Sequence, residues 1–312
     1  MKPVFIILLV VTSFACTKKA NSSAELNGSI KLDGSSTVFP ISEAMAEEFG
    51  TANRSVRVTV GISGTGGGFK KFARNEIDIS NASRPMKEIE IQQAKQNNIK
   101  YFEIPIAHDG LSIVVNKKNS FANELTLNQL KLIWSKNSKV RTWKDLNPAW
   151  PNKTIKLYGP GPDSGTFDYF KEAVLGDDNV RPDYVATEDD NVVVKGVSGD
   201  EFAIGYFGFA YYIENQEHLK AVAIAKTDKA PMLVPTEKNI LNGSYALSRP
   251  VYIYVNHKSA QKKEVNEFIK FYIKNAPKLV PQTGYVPLPQ ESYDEIMKKF
   301  MSWSEKTELT MN

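Results

Sequence analysis

The chain has 312 residues, 42% of them hydrophobic and 24% charged, with a formal net charge of +4. That length accommodates one large domain or two medium ones, each with its own core. Lys and Arg are interspersed with Asp and Glu rather than gathered into a stripe, which argues against a nucleic-acid groove and describes an ordinary soluble surface.

The first residues read as an export signal. Lys2 precedes an apolar run from Pro3 to Val11, and Thr12-Ser13-Phe14-Ala15-Cys16 follows. A basic start, a short apolar core and a small residue before the cut describe a secretory signal over 1–15, too short for a membrane span. The single cysteine, Cys16, stands at the cleavage point, as in a bacterial lipoprotein signal, although Ser13 takes a place where such signals usually carry Leu. Lipidation there leaves the mature fold without a thiol, and so without an internal disulfide. Ordinary cleavage, leaving a soluble periplasmic protein, is the alternative. Residues 16–27 are small and polar, the composition of a tether.

Ser29-Ile30-Lys31-Leu32 alternates as a strand and runs into Gly34-Ser35-Ser36-Thr37-Val38-Phe39-Pro40. Ile41, Ala44, Met45 and Phe49 then recur at helical spacing, and Pro40 suits a first helical turn, where a missing N–H costs nothing. Val56 to Val60 alternates again and ends at Ser63-Gly64-Thr65-Gly66-Gly67-Gly68, with a helix predicted from Phe69. Ile77 to Ser80 forms a third short strand, closing at Asn81-Ala82-Ser83-Arg84-Pro85. Strand, hydroxyl turn and helix in alternation predict an α/β domain with a mainly parallel sheet, whose ligands gather at the strands' carboxyl ends. Leu111 to Asn116 and Val251 to Asn256 resemble each other and are read as two crossings between domains. Between them lie a strand (Ile155 to Tyr158), a helix (Phe167 to Val174) and an aromatic run (Gly205 to Tyr212), and the tail from Gln261 to Trp303 is largely helical.

A third turn, Asp163-Ser164-Gly165-Thr166-Phe167, repeats the chemistry of the first two. Each places small hydroxyl residues and glycine before a helix, whose N-terminus carries unpaired N–H groups and about half a positive charge. Helix capping explains any one of them. Three together point to a cradle for a small tetrahedral anion, with phosphate the foremost choice. A P-loop fails because Gly67 and Gly68 stand where Lys and Ser/Thr are needed, and Phe69 breaks the dinucleotide fingerprint. Neither Ser63 nor Ser164 sits in a nucleophile elbow, since Thr65 and Thr166 replace the closing glycine. His108, His218 and His257 lack metal-ligand spacing, and Glu188-Asp189-Asp190 reads as a solvated acidic loop. No cofactor or metal is implied.

Four stretches carry a family resemblance: Asp33 to Pro40, Gly61 to Phe69, Asp78 to Pro85 and Asp163 to Phe170. In order and spacing they resemble the phosphate-binding proteins of high-affinity phosphate ABC transporters. The likeness continues through Glu188 to Asn191, Gly205 to Gly208 and Gly284 to Pro289, covering nearly all of the mature chain. It implies a two-lobed periplasmic binding protein of the second type: two mainly parallel sheets flanked by helices, with a ligand cleft between lobes. The lobes are expected at 28–108 with 250–312, and at 109–249.

The resemblance further implies phosphate held by Ser36, Thr37 and the Val38 N–H from the first turn. Ser63, Gly64 and Thr65 would serve from the second turn, Ser83 from the strand end, and Ser164, Gly165 and Thr166 from the second lobe. Many relatives carry an arginine a few residues before the Ser-Gly-Thr; here Gly159 to Asp163 holds no basic residue. Arg84 is the candidate replacement, because a guanidinium grips two phosphate oxygens; an ion pair with a carboxylate is its alternative. Relatives often have an aspartate where this chain has Ser83. Asp163 is the nearest candidate to accept the phosphate proton, with Asp190 behind it, and helix capping is the other reading of Asp163. The implied protein is non-enzymatic and monomeric, anchored through lipid at Cys16, and passes phosphate to an inner-membrane ABC permease. The alternatives are a surface adhesion or phosphate-sensing protein on the same fold, and a secreted phosphatase.

Overall fold

The computed structural model describes residues 26–162, 164–187 and 189–305. The signal segment, Cys16, Asp163 and Glu188 lie outside them. β1 (Gly28–Gly34), α1 (Phe39–Ala52), β2 (Val56–Val60), α2 (Gly64–Ala73), β3 (Ile79–Ala82) and α3 (Glu88–Gln96) form the expected alternation. The long β4 (Tyr101–Asn116) follows, then β5 (Glu124–Thr126), α4 (Leu127–Trp134), α5 (Trp143–Leu146), β6 (Lys156–Pro160) and α6 (Gly165–Phe170). A π-helical turn, Lys171–Leu175, extends α6. Next come β7 (Val185–Thr187), α7 (Asp190–Gly199), β8 (Ala203–Gly208), α8 (Phe209–Asn215), β9 (Leu219–Ala221), β10 (Ala223–Ala225) and α9 (Glu237–Leu241). β11 (Ser248–Asn256), α10 (His257–Ala260), α11 (Lys263–Gln282), β12 (Val286–Pro287) and α12 (Gln290–Ser304) complete the described fold.

The strands join in the order β2-β1-β3-β11-β4-β8-β6-β7, with β9 and β12 also pairing to β4. Ladders among β1, β2 and β3 and among β6, β7 and β8 are parallel, while β4 and β11 pair antiparallel with their neighbours. The two expected sheets are therefore one surface continuous through β4. Residues 101–110 of β4 pair with β11, and 111–115 pair with β8. The change of partner thus falls in mid-strand, just before the segment 111–116 read as a crossing. Val251 to Asn256 stays entirely against β3 and β4. The physical reason is that one strand is long enough to serve both sheets, so no loop is needed between them.

Two main apolar cores result, with two smaller clusters beside them. In the first, Ile41, Met45 and Phe49 of α1 follow one helix face and meet Phe268, Ile269 and Tyr272 of α11. Phe49 packs edge-on to Phe268 at 5.1 Å and to Phe271 at 5.3 Å, contacts that add to area burial. Ser42 is also buried on α1 and contacts Asn81 Oδ1 (2.9 Å) and Tyr272 OH (3.0 Å), which satisfies its hydroxyl away from water. In the second core, Phe170 stacks on Tyr206 at 3.9 Å, and Trp134 packs edge-on to both. That stack fixes the C-terminal end of α6, and hence the aim of its N-terminal turn. Among the described residues no helix is long and apolar enough to cross a membrane.

Gly34 is a backbone constraint on the first turn. Its φ of +137° disfavours any side chain, and a Cβ would lie 2.2 Å from the Asn81 carbonyl oxygen of β3. Gly34→Ala is expected to lower folding stability by roughly 2 kcal/mol or more, read as a shifted urea midpoint; an unshifted midpoint would contradict this constraint.

Candidate functional site

The turn after β1 holds Ser35, Ser36 and Thr37 between Gly34 and α1. Ser35 N–H donates to the Asn81 carbonyl (3.0 Å), and the Val38 and Phe39 N–H groups donate back to Ser35 O at 3.2 and 3.1 Å. The Val38 N–H is therefore used inside its own turn. Thr37 is buried. Its hydroxyl accepts from Arg249 Nη2 at 2.9 Å and reaches the Gly165 carbonyl at 3.4 Å, while Tyr285 OH donates to its carbonyl. Ser36 Oγ donates to Asp168 Oδ2 at 2.7 Å.

The second turn is partly committed to its neighbours. α2 begins at Gly64, earlier than the predicted Phe69, because Phe69 and Phe72 anchor it in a small core and draw the glycines into its first turns. Ser63 is exposed and donates to Asp33 Oδ1 (2.5 Å), whose other oxygen accepts from Lys71 (2.6 Å). Thr65 Oγ1 accepts the Ser83 N–H at 3.1 Å and lies 3.0 Å from Ser83 Oγ, so the second turn and the end of β3 are joined by their hydroxyls. Arg84 takes the ion-pair alternative: Nη1 and Nη2 meet the two oxygens of Glu90 at 2.7 and 2.8 Å, and Nη1 also donates to Pro85 O. Burial pushes the Glu90 carboxyl up, but hydrogen bonds from Arg84 and the Lys87 N–H outweigh it and leave the group below its ordinary range.

The third turn faces the first. Ser164 Oγ accepts the Thr166 N–H at 3.1 Å and caps α6. A Cβ on Gly165 would lie 2.7 Å from Thr37 Cα, so the two turns touch backbone to backbone. Ser36, Asp109, Ser164, Gly165, Thr166 and Asp190 share the wall of a cavity of about 490 Å³ between the cores.

The guanidinium at this junction is Arg249, at the start of β11. Besides Thr37 it donates to Glu172 Oε2 (2.8 Å) and, from Nε, to Asp109 Oδ2 (3.4 Å); its plane lies 3.7 Å from the Tyr169 ring centre. Asp109 is paired opposite Arg249 in the β4–β11 ladder. Burial pushes its carboxyl up to about 6, against the pull of Arg249. Sequence reasoning missed Asp109, Glu172 and Arg249. Their available signal was a charged residue just outside each of the two similar apolar strands, Asp109 before Leu111 and Arg249 before Val251. The arrangement offers hydroxyls, helix N-termini and one buried carboxyl at a cavity of mixed lining, with one largely buried cation beside it. Among the described residues no group of His, Cys, Asp and Glu could hold a metal ion.

Residues 19–276 match the PBP superfamily domain. The chain is 47% identical over 276 residues to Protein SphX of Synechococcus elongatus, covering 88% of this chain and 81% of that protein. It is 45% identical over 287 residues to Phosphate-binding protein PstS of Staphylococcus saprophyticus, covering 91% and 88%. Among solved structures, a possible phosphate binding protein from Planctomyces limnophilus superposes with a TM-score of 0.86 at 43% identity, covering 90% of this chain and all of that one.

Asp109 gives the fold a pH signature. Its carboxyl binds a proton more tightly when folded (about 6) than at its ordinary value of 3.8, so its contribution is fully present below about pH 4 and is lost as pH rises through 6. At about 1.4 kcal/mol per pKa unit the loss is about 3 kcal/mol. Urea unfolding from pH 4 to 8 should show this decline in the parent protein and a flatter profile in Asp109→Asn; equal slopes would contradict the assignment.

Proposed function

The chain belongs to the phosphate-binding proteins of the PBP superfamily, and from that membership we propose a receptor that captures inorganic phosphate and delivers it to an ABC permease for uptake. It is a binding protein rather than an enzyme. The observation that carries the site is the meeting of the Thr37 and Gly165 turns beside Arg249. Phosphate is held there by the hydroxyls of Ser36, Thr37, Ser164 and Thr166 and by backbone N–H groups of the turns that precede α1 and α6. Ser63, Gly64, Thr65 and Ser83 stand back from the cavity, with Ser63 held to Asp33 and Thr65 to Ser83, and serve as a supporting turn from the first lobe. Arg249 supplies the main positive charge, and the Arg84–Glu90 pair stands at the side of the second turn. Asp109 accepts the proton that hydrogen phosphate still carries; sulfate, having none, would set lone pair against carboxylate.

The lobes are taken as 28–108 with 250–312, and 109–249. Cys16 carries the lipid, residues 16–27 form the tether, and the receptor works as a periplasmic monomer.

Calorimetric titration should give tight one-to-one phosphate binding that excess sulfate does not displace; absence of phosphate binding overturns the reading. Charge-assisted hydrogen bonds contribute about 1.5–3 kcal/mol each, so Arg249→Gln should weaken binding by roughly 100-fold, and Arg84→Gln by less than about tenfold. The reverse ranking would return the main charge to Arg84. Gly165→Ala pushes a methyl against Thr37 backbone, with no flexible side chain to yield. It should weaken phosphate binding at least about tenfold and, as an overpacked contact, lower stability by about 1–3 kcal/mol, as read by titration and urea unfolding together.

A further inference from the structure

Two groups assigned above to phosphate already have acidic partners from the second lobe. Ser36 Oγ donates to Asp168 Oδ2 at 2.7 Å, and Arg249 Nη1 donates to Glu172 Oε2 at 2.8 Å. The carboxylates stand four residues apart, one turn along the helix that the third hydroxyl turn begins. Successive turns of a helix present such residues on the same side, and Asp168 reaches its donor, Ser36, across to the other lobe.

The pairs are unequal in exposure. The Arg249 side chain is 12% exposed and that of Glu172 is 60% exposed. A nearly buried guanidinium needs a permanent counter-charge, since leaving it unpaired is costly. An exposed carboxylate can return to water at little cost, because exposed pairs contribute at most about 1 kcal/mol. Asp168 is likewise exposed. Both contacts are therefore easily broken from their acidic side, and the one to Arg249 is strongly sought from its donor side.

Resting on the phosphate reading, we propose that Glu172 and Asp168 set the receptor's affinity by competing with the ligand. Their oxygens take the donors that phosphate oxygens use, so the entering anion must displace them. One phosphate replaces both carboxylates, because its oxygens can engage Ser36 and Arg249 together. Until then the two negative charges also oppose an approaching anion, an effect that salt screens. Glu172 and Asp168 are thus affinity-determining residues that favour a ligand able to outbid a carboxylate, namely a compact oxyanion of high charge.

The test is phosphate titration and stopped-flow association with the parent protein, Glu172→Gln, Asp168→Asn and the double variant, at low and high salt. Because both side chains are exposed, unfolding midpoints should stay near the parent value. Each single variant is expected to bind phosphate roughly three- to tenfold more tightly, mostly through faster association, with a smaller gain at high salt. Unchanged or weaker binding in both single variants, while the parent binds phosphate, overturns the competition and leaves the receptor reading intact. A parent protein that binds no phosphate overturns both.

Discussion

A guanidinium with little access to water must be surrounded by groups that accept its protons, and the arrangement around Arg249 answers that requirement. Asp109 comes from the paired strand, Thr37 from the first hydroxyl turn, Glu172 from the helix beyond the third, and Tyr169 lays its ring beneath. Removing Asp109, the buried counter-charge, leaves a cation whose burial costs several kcal/mol if uncompensated. Meeting one residue's needs thus draws the two hydroxyl turns and both long strands to a single point.

The apolar cores translate that local requirement into a stable geometry. α1 is held by its Phe49 contacts with α11, and α6 by the stack of Phe170 on Tyr206. Each helix is gripped along its length while its N-terminal turn points into the cleft. The hydroxyl turns are therefore short loops with rigid backing, the combination that holds binding groups in place before a ligand arrives. Polar satisfaction extends below the site, where Ser42 ties α1 to Asn81 of β3 and Tyr272 of α11.

Much of this was legible from residue order. β2 spans the alternating residues Val56–Val60, and α1 follows the spacing of Ile41, Met45 and Phe49. The hydroxyl turns stood out because capping and glycine chemistry is local. Arg84 attracted attention because it lies in such a turn, yet Glu90 sits only six residues onward and pairs with it. Arg249 escaped because its partners are remote: Glu172 is 77 positions away, Asp109 140 and Thr37 212. Periodicity reports which face of an element is buried; it carries no information about which charged groups the topology brings together. The early start of α2 was hidden for a related reason, since tertiary anchoring by Phe69 and Phe72 overrides the poor helix propensity of its glycines.

The mid-strand crossing bears on how the two cores can move. β4 and β11 are hydrogen-bonded to each other from Tyr101–Asn256 to Gly110–Ser248, with one irregularity in register beside Val251. The connection is consequently a hydrogen-bonded ribbon, widened by β12 at His108 and Ala107 of β4, rather than a pair of independent cords. A ribbon flexes across its flat face and resists shear within its plane, because shear would break the ladder. Motion of one core against the other is thereby reduced to something close to a single angle. Thr37 and Gly165, far apart in sequence, face each other across the junction whose alignment the ribbon sets.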